Sequence, residues 1–122
     1  MSIRFLAAAA SAAFLLGVAV PAVADTMYGA IATSDSYYGL YTNASSKAEA
    51  RSKALAACNR MATKKDESCT FRVWFTRCGA VAENDKYVAY GLGTTEAKAK
   101  AEAMSSLNAS DGSISASGCN DQ

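Results

Sequence analysis

The pattern of hydrophobic and polar positions occurs twice along this chain. Gly29 to Tyr41 reads GAIATSDSYYGLY and Gly79 to Leu92 reads GAVAENDKYVAYGL, so that each stretch places a short polar segment between two apolar runs. The polar segments, TSDS and ENDK, contain Asp, Asn and Ser, which favour turns by hydrogen bonding to their own backbone. Each copy therefore predicts a strand, a tight turn and a second strand.

An alanine-rich amphipathic segment follows each pair of strands. The first opens with the capping box Ser46-Lys47-Ala48-Glu49, and after a one-residue slip Thr94-Thr95-Glu96 opens the second. Apolar residues then recur at helical spacing in both segments: Ala54, Leu55, Cys58, Met61 and Ala62, followed by Ala97, Ala101, Met104 and Leu107. Each pattern predicts a helix with a thin apolar face that packs close to a sheet.

The strongest strand signal lies between the copies, in CTFRVWFTRC from Cys69 to Cys78. Its apolar positions alternate as in a strand, and the counterpart SISASGC, Ser113 to Cys119, is weaker. The elements predict an α+β fold in which two β-β-α-β copies, about residues 27–78 and 79–119, form an antiparallel sheet with both helices on one face.

Residues 1–24 are typical of a signal peptide. Arg4 precedes an apolar run from Phe5 to Val20, and Ala22-Val23-Ala24 provides a small-x-small cleavage pattern. The alternative is a membrane anchor, but the run is short for a span and no basic flank follows it. We expect a single domain of residues 25–122 that is secreted or held in the periplasm or cell envelope, with no stable membrane insertion after the signal is removed.

Charge and composition narrow the classes of function. Removal of Arg4 leaves 11 of the 12 Lys and Arg residues, which balances the 11 Asp and Glu residues and argues against a nucleic-acid partner. The chain contains no histidine, the usual general base and the commonest nitrogen ligand of zinc. We therefore predict no catalytic residue, no metal site and no cofactor, and we do not expect an enzyme.

The four cysteines predict two disulfides, as is usual for a small exported domain. In the repeat alignment Cys78 and Cys119 end corresponding strands, whereas Cys58 aligns with Leu107 and Cys69 falls near Ser110. The second copy thus lacks Cys58 and Cys69 together, as expected for a bonded pair. Of three connectivities we predict Cys58 with Cys69 and Cys78 with Cys119, which stabilise the fold by roughly 3 and roughly 4 kcal/mol.

The alternation in the central strand also predicts a binding surface. If Phe71, Val73 and Phe75 face the helices, the side chains between them point to the opposite face of the sheet. Aromatic residues of the hairpins are expected to share that face, giving a candidate surface of Trp74, Arg72, Tyr37, Tyr41 and Tyr87. Trp, Tyr and Arg dominate binding energy at interfaces. The alternative is that these aromatic residues only stiffen the sheet or lie under loops.

Several segments resemble a known family. Tyr28-Gly29-Ala30-Ile31-Ala32, the FTRCGAVA segment from Phe75 to Ala82 and the final Cys119-Asn120 resemble the bacterial family called domain of unknown function 4189, to which small exported proteins of mycobacteria and related actinobacteria belong. The resemblance extends from about Met27 to Asn120. It implies a small secreted or cell-envelope protein with a β-rich α+β fold and no established enzymatic activity.

Three hypotheses for function remain open. The first is a secreted, non-catalytic binding or effector-like protein whose sheet face contacts another protein, of the host or of the envelope. The second is a periplasmic inhibitor of a cell-wall hydrolase or toxin, with the acidic turn Glu83-Asn84-Asp85 as the inserted loop. The third is a structural envelope protein. Alanine substitution of Trp74 and Arg72 is expected to abolish partner binding under the first hypothesis, and substitution of Glu83 and Asp85 under the second.

Overall fold

The computed structural model describes residues 26–63 and 67–121, and the predicted signal peptide lies outside them. Six strands and two helices follow the predicted order. Their bounds are β1 Tyr28–Thr33, β2 Tyr38–Ala44, α1 Lys47–Met61, β3 Thr70–Phe75, β4 Cys78–Glu83, β5 Val88–Gly93, α2 Glu96–Leu107 and β6 Ser113–Cys119. The predicted β-β-α-β repeat is confirmed.

The strands form two antiparallel sheets of three strands, ordered β2-β1-β3 in the first sheet and β5-β4-β6 in the second. Helix α1 packs on the first sheet and α2 on the second. The remaining faces of the two sheets meet around Ile31, Phe75 and Val81, so the layers run helix, sheet, sheet, helix. The α+β class is confirmed, but the prediction of one sheet with both helices on one face is wrong, because each sheet is apolar on both of its faces.

Both sheets contain the same β-bulge. The β1–β3 register shifts between Ile31 and Ala32, and the β4–β6 register shifts between Val81 and Ala82. The residues left unpaired by these shifts are Arg72 in β3 and Ser115 in β6. A bulge interrupts the alternation of side chains along a strand, so the strict period of two assumed for β3 does not hold.

The helices approach the sheets closely because small residues face each other. A methyl group at Gly39 would lie 2.2 Å from the carbonyl oxygen of Ala54, and one at Gly91 would lie 2.2 Å from the backbone nitrogen of Ala103. Ala54 and Ala103 are both fully buried. The buried helix faces are alanine-rich, as predicted, and they require glycine on the strand opposite. The predicted face of α2 is wrong, because Ala97 and Ala101 are exposed and Ala99 and Ala103 are buried in their place.

We expect Gly91→Ala to lower the free energy of unfolding by about 1–3 kcal/mol, because the added methyl group meets helix backbone that cannot rotate away. The control Gly118→Ala should cost less, since its methyl group would meet only side chains, Thr42 Cγ2 at 3.2 Å and Leu40 Cδ2 at 3.7 Å. Urea unfolding measures both free energies. Equal losses for the two variants would contradict the close approach of α2 to β5.

Each helix begins at its predicted cap. The hydroxyl of Ser46 accepts a hydrogen bond from the backbone N–H of Glu49 at 3.1 Å, and the hydroxyl of Thr95 accepts one from the N–H of Lys98 at 3.2 Å. The Glu49 carboxylate in turn accepts from the backbone N–H and the hydroxyl of Ser45, which lowers the pKa of Glu49. These bonds satisfy N–H groups that a helix start leaves without partners.

Both predicted disulfides are confirmed, with S–S distances of 2.01 Å for Cys58–Cys69 and 2.06 Å for Cys78–Cys119. One premise behind the pairing was wrong. Cys78 does not end a strand that corresponds to β6 but begins β4, directly opposite Cys119 in the ladder. The bond joins two neighbouring strands across their register.

The second copy replaces the lost disulfide with an apolar contact. The capped starts of the helices align Leu107 with Cys58, and the strand registers align Gly112 with Cys69. A methyl group at Gly112 would lie 2.1 Å from Leu107 Cδ2. The Leu107 side chain therefore occupies the space between helix end and strand start that a disulfide spans in the first copy.

Candidate functional site

The five residues of the predicted surface separate into two groups. Trp74, Tyr37 and Tyr41 pack with the buried cluster between α1 and the first sheet. Arg72 and Tyr87 lie elsewhere, along a cleft between the two sheets. The structure therefore does not bring the five residues together on one open sheet face.

The prediction that Trp74 points away from the helices is wrong. Its indole N–H donates to the Lys47 carbonyl of α1 at 2.9 Å, and the Lys47 ammonium lies 5.2 Å from the centre of the ring. Because of the bulge at Arg72, Phe71 lies on the same face of the sheet as Trp74, and the centres of the two rings are 4.5 Å apart. Val73 instead packs with the core between the sheets.

The tyrosines on the α1 side are also engaged within the domain. The Tyr37 hydroxyl forms a hydrogen bond of 2.8 Å with the hydroxyl of Thr63, and Tyr41 pairs with Ala30 in the β1–β2 ladder. Each lies partly buried. With Trp74 they stiffen the contact between helix and sheet, as in the alternative considered for the aromatic residues.

Arg72 and Tyr87 line a cleft of about 740 Å³. The Arg72 Nε donates to the Thr33 hydroxyl at 2.8 Å, which orients the guanidinium at the rim. Tyr87, just before β5, has 61% of its surface exposed, the largest exposed fraction of any large apolar residue in the described ranges. The remaining lining residues come from the β1–β2 turn, from β5 and from α2: Thr33, Ser34, Asp35, Lys86, Val88, Ala89, Tyr90, Gly91, Leu92, Glu102 and Ser106.

The cleft is wider than the one on the opposite side of the molecule, which measures about 490 Å³, and the two sides differ at a pair of equivalent positions. On the opposite side of the molecule the Tyr38 hydroxyl reaches across and donates to the Ser115 carbonyl at 3.4 Å. The registers make Val88 the counterpart of Tyr38, and Arg72 the counterpart of Ser115. Val88 is too short to span the same gap and has no hydroxyl to donate, so the sheets are not bridged on that side.

A second difference has the same effect. Phe75 lies between the sheets, where methyl groups at Gly29 and Gly79 would lie 2.3 Å and 2.7 Å from its ring. The register places Gly118 at the position equivalent to Phe75, and there the sheets close on Thr42 and neighbouring side chains. The phenylalanine ring on one side and the glycine on the other are thus associated with the wider cleft at β3 and β5 and a narrower one, of about 490 Å³, at β2 and β6.

The charged side chains that line the cleft differ in whether another group of the domain binds them. Glu102 of α2 accepts a hydrogen bond from the backbone N–H of Leu92. Arg72 and Lys86 form no ion pair with a carboxylate among the described residues, and neither does Asp35 on the β1–β2 turn. The lining therefore carries two cations and two anions, of which Glu102 is held by the backbone of β5.

Sequence reasoning missed Lys86, Val88 and Glu102 as residues of the site. A signal for Val88 was present, because the repeat alignment places valine where the first copy has tyrosine. In the part of the chain that the structure describes, no group of three or more Cys, Asp or Glu side chains is placed to hold a metal ion. No helix in the same ranges is long and apolar enough to cross a bilayer.

Fold and disulfides define the class of protein: a small α+β domain built from two β-β-α-β copies, whose crosslinks indicate an oxidising environment outside the cytoplasm. Residues 28–119 match the family described as Domain of unknown function (DUF4189), and the chain belongs to this family. The resemblance noted in the sequence is thereby confirmed.

Among solved structures, the chain is similar to the NMR structure of Rv1813c from Mycobacterium tuberculosis. The two sequences are 33% identical, the match covers 83% of this chain and 81% of that one, and the TM-score is 0.58. No curated protein matches this sequence significantly.

Proposed function

We propose that this chain is an exported, non-catalytic protein that binds another protein, of the envelope or of a host, through the cleft lined by Arg72 and Tyr87. The observation that carries the proposal is that these two side chains meet at one open cleft of about 740 Å³. The surface differs from the one expected from sequence alternation, since Trp74 contributes to the packing of α1 instead.

Residue chemistry supports a binding role at this place. Tyrosine and arginine contribute most to binding energy at interfaces because they bury a large area and retain a polar group. Tyr87 is largely exposed, and the polar contact of Arg72 among the described residues is to Thr33. Neither side chain is needed to complete the core, so both are available to a partner.

Composition and crosslinks support export and the absence of catalysis. Two disulfides suit an oxidising compartment, and residues 1–24 carry the pattern of a signal peptide. The chain has no histidine for general-base chemistry. A protein with this composition is expected to act by contact.

The inhibitor hypothesis receives less support from the proposed loop. The Glu83 carboxylate accepts a hydrogen bond from the Ser115 hydroxyl, and the Asn84 side-chain amide donates to Asp111 at 3.1 Å. Two of the three loop side chains are thus engaged within the domain, which leaves Asp85 to face a partner. The structural-envelope hypothesis remains the outcome expected if neither surface binds.

The double variant Arg72→Ala, Tyr87→Ala tests the proposal. The oxidised domain is used to capture partners from envelope and host fractions, and the Kd of each identified partner is then measured with purified proteins. We expect the double variant to raise the Kd at least about 30-fold, corresponding to about 2 kcal/mol for a central contact.

Met61→Ala provides the control, because Met61 is an exposed apolar side chain on α1, outside the cleft. It should leave the Kd unchanged. An unchanged Kd for the double variant together with a weakened Asp85→Ala would favour the inhibitor hypothesis. No effect at either place would contradict both binding hypotheses.

A further inference from the structure

Strand β5 has one free edge, which faces the cleft. It is the outer strand of the second sheet and pairs only with β4. The hairpin closes with a hydrogen bond of 3.1 Å from the Asn84 N–H to the Tyr87 carbonyl. In an antiparallel ladder, hydrogen-bonded and non-hydrogen-bonded pairs alternate from that point, so the backbone groups of Ala89 and Gly91 bond to β4.

The backbone N–H and C=O groups of Val88, Tyr90 and Leu92 consequently point outward. The N–H of Leu92 confirms this alternation of inward and outward backbone groups, because it donates to the Glu102 carboxylate of α2 and not to β4. Among the described residues no hydrogen bond from outside the ladder reaches Val88 or Tyr90. Unpaired backbone groups along an edge form a template for a further strand.

The cleft lies along this edge. Its lining includes Val88 and Tyr90, whose side chains pack toward the other sheet, and also Ala89 and Gly91, which face α2. A cavity bounded by both faces of one strand is open to that strand's edge. At about 3.4 Å per residue, the six residues of β5 extend for about 20 Å.

The equivalent edge in the first copy is covered at both ends. At the end of β2 the N–H of Asn43 donates to the Asn120 side chain, and the N–H of Asp121 donates to the Asn43 side chain, both at 2.7 Å. Near its beginning the Tyr38 side chain crosses to the other sheet. The ends of the β2 edge are thus engaged by the chain itself and a smaller cleft of about 490 Å³ lies between them, whereas the wider cleft lies along β5.

We infer that the cleft binds an extended peptide segment of a partner protein, which adds to the edge of β5 as a strand. The inference rests on the proposed function and specifies the ligand of that site. Apolar side chains at alternate positions of the segment contact Val88 and Tyr90, and main-chain hydrogen bonds form with the outward groups of the same residues. A carboxylate in the segment lies beside Arg72 and Lys86.

The shape of the cleft favours a single extended peptide segment over a second copy of this chain. The edge of β5 is recessed between α2 on one side and the β1–β2 turn with Arg72 on the other. A single strand fits into such a recess, whereas the β5 edge of a second copy would be held off by the same walls. The lining is neutral as a whole, with Asp35 and Glu102 balancing Arg72 and Lys86, but these two cations have no ion-pair partner among the described residues, so each can pair with a carboxylate of the segment.

The test begins with a displayed library of random linear peptides selected on the oxidised domain. We expect enriched sequences with alternating apolar residues and at least one Asp or Glu. Methylation of single backbone nitrogens in a synthetic copy of the best peptide should weaken binding at every second position, by tenfold or more. Hydrogen exchange should slow at the amides of Val88 and Tyr90 but change little at Ala89 and Gly91, which are already bonded to β4.

Val88→Tyr provides the matched variant, because it places in the second copy the residue that bridges the two sheets in the first. We expect it to keep the native unfolding midpoint and to weaken peptide binding at least tenfold. Met61→Tyr introduces the same residue on α1 and should leave binding unchanged. Arg72→Glu should lose the acidic peptides and select basic ones from the same library.

The outcomes separate the two proposals. Peptides that bind and require Arg72 and Tyr87, but tolerate methylation at every position, would overturn strand addition while leaving the cleft as the binding site. Absence of enriched peptides, or binding indifferent to Arg72, Tyr87 and Val88, would overturn the inference and count against the cleft itself. A dimer that forms through β5 without peptide would identify a second copy as the occupant and would also overturn the inference.

Discussion

Phe75→Ala is expected to lower the free energy of unfolding by about 3–5 kcal/mol. The Phe75 ring is 6% exposed and fills the space between the two sheets. Glycine at positions 29 and 79 leaves room for it, since a methyl group at either position would overlap the ring. Removal of the ring leaves a cavity bounded by strand backbone, which cannot collapse without moving one sheet against the other.

Urea unfolding of the oxidised protein measures this effect. Phe71→Ala is the control, because Phe71 lies in the same strand but is only partly buried, on the α1 side. It should cost clearly less. A loss for Phe75→Ala no greater than that for Phe71→Ala would contradict the face-to-face packing of the two sheets.

Replacement of both Cys78 and Cys119 by alanine is expected to cost about 4 kcal/mol, and replacement of Cys58 and Cys69 about 3 kcal/mol. The bonds close segments with sequence separations of 41 and 11, and the longer closure removes more entropy from the unfolded chain. Cys78–Cys119 also ties the first residue of β4 to the last residue of β6. In the first copy the corresponding strands lack such a bond.

The two losses together approach the whole stability of a small domain, which is about 5–15 kcal/mol. We therefore expect full reduction to unfold the protein at moderate temperature. Thermal unfolding of the two double variants and of the reduced wild type measures the order of effects. Greater sensitivity to loss of Cys58–Cys69 than to loss of Cys78–Cys119 would contradict the expected order, and free thiols in the purified, unreduced protein would contradict both crosslinks.

Features with local signals were predictable from the sequence. The caps at Ser46 and Thr95 and the turns depend on residues close together in the chain, so their patterns are visible in the letters themselves. The buried face of α2 was assigned wrongly, because alanine occurs at every second position from Ala97 to Ala103 and so lies on more than one side of the helix. The duplication also predicted the correct cysteine pairing. It did so although Cys78 and Cys119 occupy different places in their copies, because the joint loss of Cys58 and Cys69 was sufficient evidence.

The division into two sheets was not predictable from the alternation alone. A strand that buries one face under a helix and the other under a second sheet has apolar residues on both faces, as β3 does with Trp74 and Val73. The bulge at Arg72 then reassigns Phe71 to the α1 side. Bulges depend on the pairing of two strands, and one strand's sequence does not reveal them.

The candidate site was predicted only in part, because the cleft arises from differences between equivalent positions. Val88 in place of Tyr38, and Phe75 in place of Gly118, distinguish the side with the wider cleft from the side with the narrower one. The first difference was visible in the repeat alignment. The second requires the register of β3 and β6, since alignment of the cysteines places the two strands out of step.

Hydrogen exchange of the oxidised domain, with and without its captured protein partner, tests most directly whether the protein acts by contact at the β5 cleft. We predict slower exchange at the amides of Val88 and Tyr90 in the complex, with little change in α1 around Trp74. Unchanged exchange along β5, together with protection of the α1 face, would contradict the assignment of the binding site to this cleft.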